Sequence, residues 1–112
     1  MQLLRELGVI ARIWKGAVRA ADGDAYAAYM RDTGVAEYLS TPGNLSALML
    51  RREVEDRTEF VMVTTWESMD AIKVFAGDDP ERAVFYPEDD RYLIERDSTV
   101  AHYEVDVPLS AT

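Results

Sequence analysis

Short blocks of apolar residues alternate along this chain with charged turns, and their spacing predicts the elements. Val9-Ile10-Ala11-Arg12-Ile13-Trp14 is short, β-branched and aromatic, the signature of a strand that Lys15-Gly16 is expected to end. Asp22-Gly23-Asp24 offers an N-cap for a helix carrying Tyr26, Tyr29, Met30 and Thr33 on one stripe. Gly34 is expected to break or kink that helix before a further turn through Glu37-Tyr38-Leu39. Thr41-Pro42-Gly43-Asn44 places Pro and Gly where a type II turn wants them.

The segments 45–53 and 58–66 read as a hairpin joined across Val54-Glu55-Asp56-Arg57. Ser68 caps a second helix with Ala71, Ile72, Phe75 and Ala76 on one face, and Gly77 closes it. Asp79-Pro80 predicts a short helix to Tyr86, and Pro87 starts another turn through Leu93. Residues 99–107 form the expected last strand, so one domain spans 8–107 and a tail covers 108–112.

The order strand, helix, strand, strand, helix, strand predicts an α+β, ferredoxin-like βαββαβ fold, with both helices on one face of an antiparallel sheet. The strands carry no charge-rich face. Phe60, Met62, Thr64 and Trp66 point one way while Val61, Val63 and Thr65 point the other, and Ile10/Trp14 and Val9/Ala11/Ile13 repeat the pattern. Two helices cover one face only, leaving an apolar patch of several hundred Å², near the limit for a monomer. A homodimer closed face to face is the expectation; a monomer covered by its own tail is the alternative.

Twelve Lys and Arg stand against 21 Asp and Glu, a net charge of −9. This field repels nucleic acid and anionic membrane as partners. The chain has no cysteine, which removes disulfides, thiolate chemistry and Cys-ligated zinc and fits a reducing, cytoplasmic setting. The first seven residues carry charge within their apolar run, unlike a signal peptide. With a single histidine and no calcium-loop spacing, no metal site is expected. Nucleotide, zinc-protease and hydrolase-elbow motifs are missing.

Chemistry is therefore left to a few side chains. His102, mid-strand, suits proton transfer near neutrality, or is a hydrogen-bonded core histidine. Arg12 lies inside an apolar strand, where a charge is costly unless matched; it reads as an anchor for an anionic ligand or as a partner of Glu104 or Asp106. Trp14, Trp66, Tyr26, Tyr29, Tyr38, Phe75, Phe85 and Tyr86 are core aromatics or the walls of a pocket for a flat aromatic ligand.

Several segments in order resemble the antibiotic biosynthesis monooxygenase-like family. They are Ile10 to Gly16, Thr41-Pro42-Gly43-Asn44, Thr65-Trp66-Glu67-Ser68 with Ala71-Ile72, Phe75-Ala76-Gly77, Ala83 with Tyr86-Pro87-Glu88-Asp89, and Val100 with His102-Tyr103-Glu104-Val105. The resemblance spans about Val9 to Val107 and implies a dimeric α/β barrel with a pocket between sheet and helices in each subunit. The family's haem-degrading branch uses a first-strand Asn and a His near the position of Phe85 or Tyr86. Arg12 stands in place of that Asn, so the resemblance points away from haem. It implies instead a cofactor-independent monooxygenase acting on a small aromatic or polyketide-like substrate. His102, Arg12, Trp66 and Tyr86 are then the expected catalytic residues, and Trp14, Tyr26, Tyr29, Asn44 and Phe75 the expected substrate contacts. A non-oxidative acid–base cyclase or isomerase, or a non-catalytic small-molecule-binding dimer, would fit the same residues.

Overall fold

A computed structural model describes residues 8–106. The tail expected from 108 onward, and the charged opening segment, lie outside the described residues. Strand β1 (Ile10–Arg19) runs antiparallel to β3 (Arg57–Trp66), which runs antiparallel to β2 (Asn44–Val54). On the other side of β1 lie two short strands, β4 (Leu93–Arg96) opposite Gly16–Val18 and β5 (Ala101–Glu104) opposite Ile10–Ile13. The sheet order is thus β2-β3-β1 with β4 and β5 sharing the last place. This is the ferredoxin-like order, with its final strand split in two.

Helix α1 (Gly23–Met30), a π-helical stretch (Arg31–Val35) and α2 (Ala36–Ser40) form one continuous path across the sheet, joined by helix α3 (Met69–Ala76). A single turn, α4 (Asp89–Tyr92), leads into β4. Ser68 accepts from the Ala71 N–H at 3.1 Å, the expected cap. Gly77 closes α3 at φ +88°, a left-handed position that only glycine adopts without strain. The Thr41 carbonyl accepts from the Asn44 N–H with Gly43 at φ +91°, as a type II turn requires.

Three expectations are corrected and one is narrowed. Lys15-Gly16 does not end β1, because Gly16 pairs with both Phe60 and Arg96 and makes room for the neighbouring indole. A Cβ there would fall 2.5 Å from Trp14 Cη2. Of the two outcomes expected at Gly34, the break does not occur; the residue sits in a π-helical turn, an irregularity of the kind that kinks a helix. Asp22 gives no side-chain cap; its carboxylate pairs with Arg19 at 3.5 Å. The helix expected from Asp79 to Tyr86 stops after one turn, closed by Arg82 N–H to Asp79 O at 3.2 Å, and runs on as a non-helical strap. It is tied to the segment before β5 by Ala83 N–H to Ser98 O and Val100 N–H to Glu81 O. Those tertiary bonds outweigh the weak helical preference of so short a segment.

The faces of the sheet differ sharply. Trp14, Val18, Phe60, Met62 and Trp66 are buried beneath the helices with Tyr26, Met30, Tyr38, Ile72 and Phe75. On the opposite face Leu48, Leu50 and Tyr103 remain exposed, and Ile13, Val61 and Val63 half-buried. The register makes this a shared surface, since Leu48 pairs with Val63 and Val63 with Ile13.

Candidate functional site

Strand pairing sets the site. Arg12 alternates with Ile10 and Trp14 onto the helix-covered face of β1, and His102 stands directly opposite it on β5. Residues so paired have Cβ atoms about 4.5–5.5 Å apart. Arg12 is 4% exposed, a charge sunk in the core. Its Nη2 donates to the carbonyls of Arg82 at 3.0 Å and Pro80 at 3.3 Å, and its guanidinium lies over the Phe75 ring at 5.4 Å. None of these partners is anionic. Among the described residues, the Nε–H of Arg12 and Nε2 of His102 are both buried without a hydrogen-bond partner.

Arg12 forms one wall of a cavity between sheet and helices, of about 10 Å³, with room for about one water. Trp14 lies beside it, Tyr26 and Met30 face it from α1 and Tyr38 from α2. The strap contributes Phe85 and Tyr86, and α4 contributes Asp89. A far larger hollow, about 490 Å³, is lined by Lys15, Leu50, Arg52, Glu59 and Val61 and lies largely on the uncovered face. It gathers no comparable set of buried polar groups.

Asp89 is buried and organises the far wall. Its Oδ1 accepts from the Tyr26 hydroxyl at 3.1 Å and its Oδ2 from the Tyr86 N–H at 2.6 Å. The Tyr86 hydroxyl donates to Glu37 Oε2 at 2.9 Å, linking strap to α2. Burial, reinforced by Asp89, holds the Tyr26 phenol well above its ordinary range. Burial and the bond to Glu37 do the same for Tyr86. Burial pushes Tyr38 up to about 12, against the opposing pull of Arg12. All three therefore stay neutral donors near pH 7. Burial, then the neighbouring Arg12 charge, holds His102 below its usual value, with Glu81 opposing. Its ring is thus neutral at pH 7, with a nitrogen lone pair available.

Arg12, Trp14, Tyr26 and Tyr86 thus meet at one cavity. Phe75 reaches it through its stack on Arg12. His102 lies beside Arg12 and outside the cavity's lining. Trp66 is fully buried, donates to Thr64 Oγ1 at 2.8 Å and packs on Phe75 and Tyr38, behind the cavity. Tyr29 turns its hydroxyl to accept from the Glu88 N–H. Asn44 spends its amide on the carbonyls of Ser46 and Thr65. Asp89 and Glu37 were not singled out from sequence. Asp89 had a local signal, an acidic residue three positions after Tyr86 able to accept its N–H.

A model of the family described as antibiotic biosynthesis monooxygenase matches residues 9–84, more than half the chain. The chain belongs to that family. Solved structures agree on the fold of this monooxygenase-family chain. A cofactor-independent oxygenase of Streptomyces nogalater is 17% identical, with a TM-score of 0.62 covering 91% of this chain and 97% of that one. A haem-degrading protein of Mycobacterium tuberculosis is 19% identical, with a TM-score of 0.62 over 92% and 97%. A conserved protein of Methanosarcina mazei reaches 0.66 at 16% identity, over 91% and 97%. At such identities the likeness speaks for the fold alone. Comparison with curated protein sequences gives no match. Among the described residues, no helix is long and apolar enough to cross a membrane.

Proposed function

We propose that this monooxygenase-family chain is a cofactor-independent oxygenase of a small aromatic, enolisable substrate, working as a homodimer. The observation that carries the reading is Arg12, a buried cation whose partners are carbonyls and a ring, on the wall of an aromatic cavity. A buried charge of this kind is matched by an anion arriving with the ligand. An enolate or phenolate fits, because such an anion is electron-rich enough to reduce dioxygen itself.

For an aryl ketone with an enolisable methylene, the reaction balances without another reductant: the methylene and one dioxygen give a carbonyl and one water. Two C–H bonds break and a carbon–oxygen double bond forms. One oxygen atom enters the substrate, the other leaves as water, and the methylene supplies all four electrons. The chain's task is to accept the first proton, hold the anion and exclude bulk water. His102, neutral beside Arg12, is the proton acceptor in this reading, and Arg12 holds the anion. Tyr86 and Trp14 bound the ring, and Trp66 supports Phe75 and Tyr38 from behind. Tyr26, held by Asp89, bounds the same cavity, while Tyr29 and Asn44 spend their polar groups on the surrounding backbone.

A cavity of about 10 Å³ holds no aromatic ring, so entry requires the strap carrying Phe85 and Tyr86 to swing outward. The homodimer is supported by Leu48, Leu50 and Tyr103 on the uncovered sheet face. Oxygen consumption with 9-anthrone, whose enol tautomer is a phenol, tests the activity. Uptake yielding anthraquinone supports it; binding of anthrone with no oxygen uptake would leave a cyclase or a binding protein.

A further inference from the structure

Among the described residues, two buried nitrogens without hydrogen-bond partners sit on side chains paired across adjacent strands. The Nε–H of Arg12 is a permanent donor, since guanidinium keeps its protons in proteins. Nε2 of His102, directly opposite across the β1–β5 pair, is either donor or acceptor depending on its proton. Leaving buried polar groups unmatched is unfavourable, and more so when one is charged. One ligand group satisfies both at once: an anionic oxygen that accepts from Arg12 Nε–H and from a protonated His102.

We infer that Arg12 and His102 form a proton-coupled oxyanion site, which takes a carboxylate, enolate or phenolate oxygen together with one proton. An acidic ligand entering in its neutral form gives its proton to His102 Nε2: the O–H bond breaks, the imidazolium forms, and the oxygen anion stays on Arg12. A ligand entering already ionised draws that proton from solvent. In both cases the bound state holds two cations around one anion, and the imidazole carries the charge only while the site is filled.

The groups facing the imidazole fit this cycle. Arg12 on β1 opposes its charging while the site is empty, and Glu81 on the strap favours it. Tyr38 and Tyr86 face Arg12 as neutral phenols and do not compete with the ligand for the positive charge. Burial of Arg12 weakens its hold on its own proton, the strain that an arriving anion relieves. The inference rests on reading this place as a ligand site, and it requires no oxygen chemistry.

The chain has one histidine, so the imidazole NMR signals belong to His102 without assignment. The test is a pH titration of those signals in the full chain, in sodium formate and in sodium chloride at equal ionic strength. Formate is the smallest carboxylate and suits a site this tight. The expected result is a His102 pKa higher in formate by about one to three units, the usual effect of an opposite charge at contact. Between the two pKa values, formate affinity falls about tenfold per pH unit. Arg12→Gln loses the shift. Arg12→Lys, which keeps the charge without the Nε–H, retains less than the wild type. A His102 titration identical in formate and chloride overturns the inference, and so does a shift that survives in Arg12→Gln. Should anthrone oxidation fail while the formate shift is present, the oxygenase reading falls and the site stands; the converse separates them the other way.

Discussion

Arg12 and His102 face each other across the β1–β5 pair, and each keeps a buried nitrogen without a hydrogen-bond partner among the described residues. The burial and the adjacent cation both favour the neutral imidazole, holding its pKa below the ordinary 6.5. Because the folded value lies below the unfolded one, the unfolded chain binds the extra proton first as pH falls. The stability tied to neutral His102 is therefore complete above about pH 6.5 and is lost as pH drops through the folded value. Thermal melts of the wild type should decline from pH 6.5 toward 5. His102→Gln, which cannot take that proton, should flatten this part of the profile. A mutant profile parallel to the wild type's would show that the decline comes from elsewhere.

Sequence spacing carried much of this fold because its strands alternate so cleanly. The assignment of Phe60, Met62, Thr64 and Trp66 to one face and Val61 and Val63 to the other holds residue by residue. The Ser68 cap, the Gly43 turn and the Gly77 terminator were equally legible, since each depends on a local backbone requirement. Elements decided by tertiary bonding were not. The strap from Asp79 to Tyr86 starts with a turn like a helix but is kept from continuing as one by its bonds to Ser98 and to the Arg12 side chain. Strand β4 is only four residues and takes its identity from β1. In the site, Arg12 stood out as a charge in an apolar strand, whereas Asp89 was one acid among Glu88-Asp89-Asp90 and its burial had no local sign.

Neighbouring residues on β3 should respond in opposite ways to the same charge. Met62 is 2% exposed beneath the helices, so Met62→Glu buries an unpaired carboxylate and should cost about 3–5 kcal/mol or prevent folding. Val63 lies on the uncovered face beside Leu48 and Ile13. Val63→Glu should preserve the secondary structure seen by circular dichroism while halving the mass seen in sedimentation equilibrium. Wild-type protein sedimenting as a monomer would remove the homodimer from the account.

Gly16 owes its place to the indole beside it. Gly16→Ala puts a methyl 2.5 Å from Trp14 Cη2 and 3.1 Å from Leu93 Cδ2, so the indole must shift off its 2.8 Å bond to the Asp97 carbonyl. Overpacking of this kind typically costs about 1–3 kcal/mol. Denaturant unfolding should register that loss, and tryptophan emission should move to the red as Trp14 gains solvent. An alanine variant as stable as wild type would mean that the strand bends freely here.

The Tyr86–Glu37 bond is the outer fastening of the strap. Tyr86→Phe should lower stability by no more than about 1 kcal/mol, since the bond is exposed. The same change should speed the binding of 1-naphthol, followed by quenching of tryptophan emission, because the strap opens without breaking that bond. Slower binding in the variant would make the hydroxyl a ligand contact instead of a fastening.

Oxygen consumption by chelator-treated protein supplied with 9-anthrone, compared between wild type and Arg12→Gln, bears on the whole account. The expected result is one dioxygen consumed per anthraquinone formed, with turnover about 10²–10³ lower in Arg12→Gln, the usual cost of removing a group that stabilises a developing oxyanion. Wild-type protein that binds anthrone yet leaves the dissolved oxygen untouched, or an Arg12→Gln variant that oxidises it at the wild-type rate, would contradict the account.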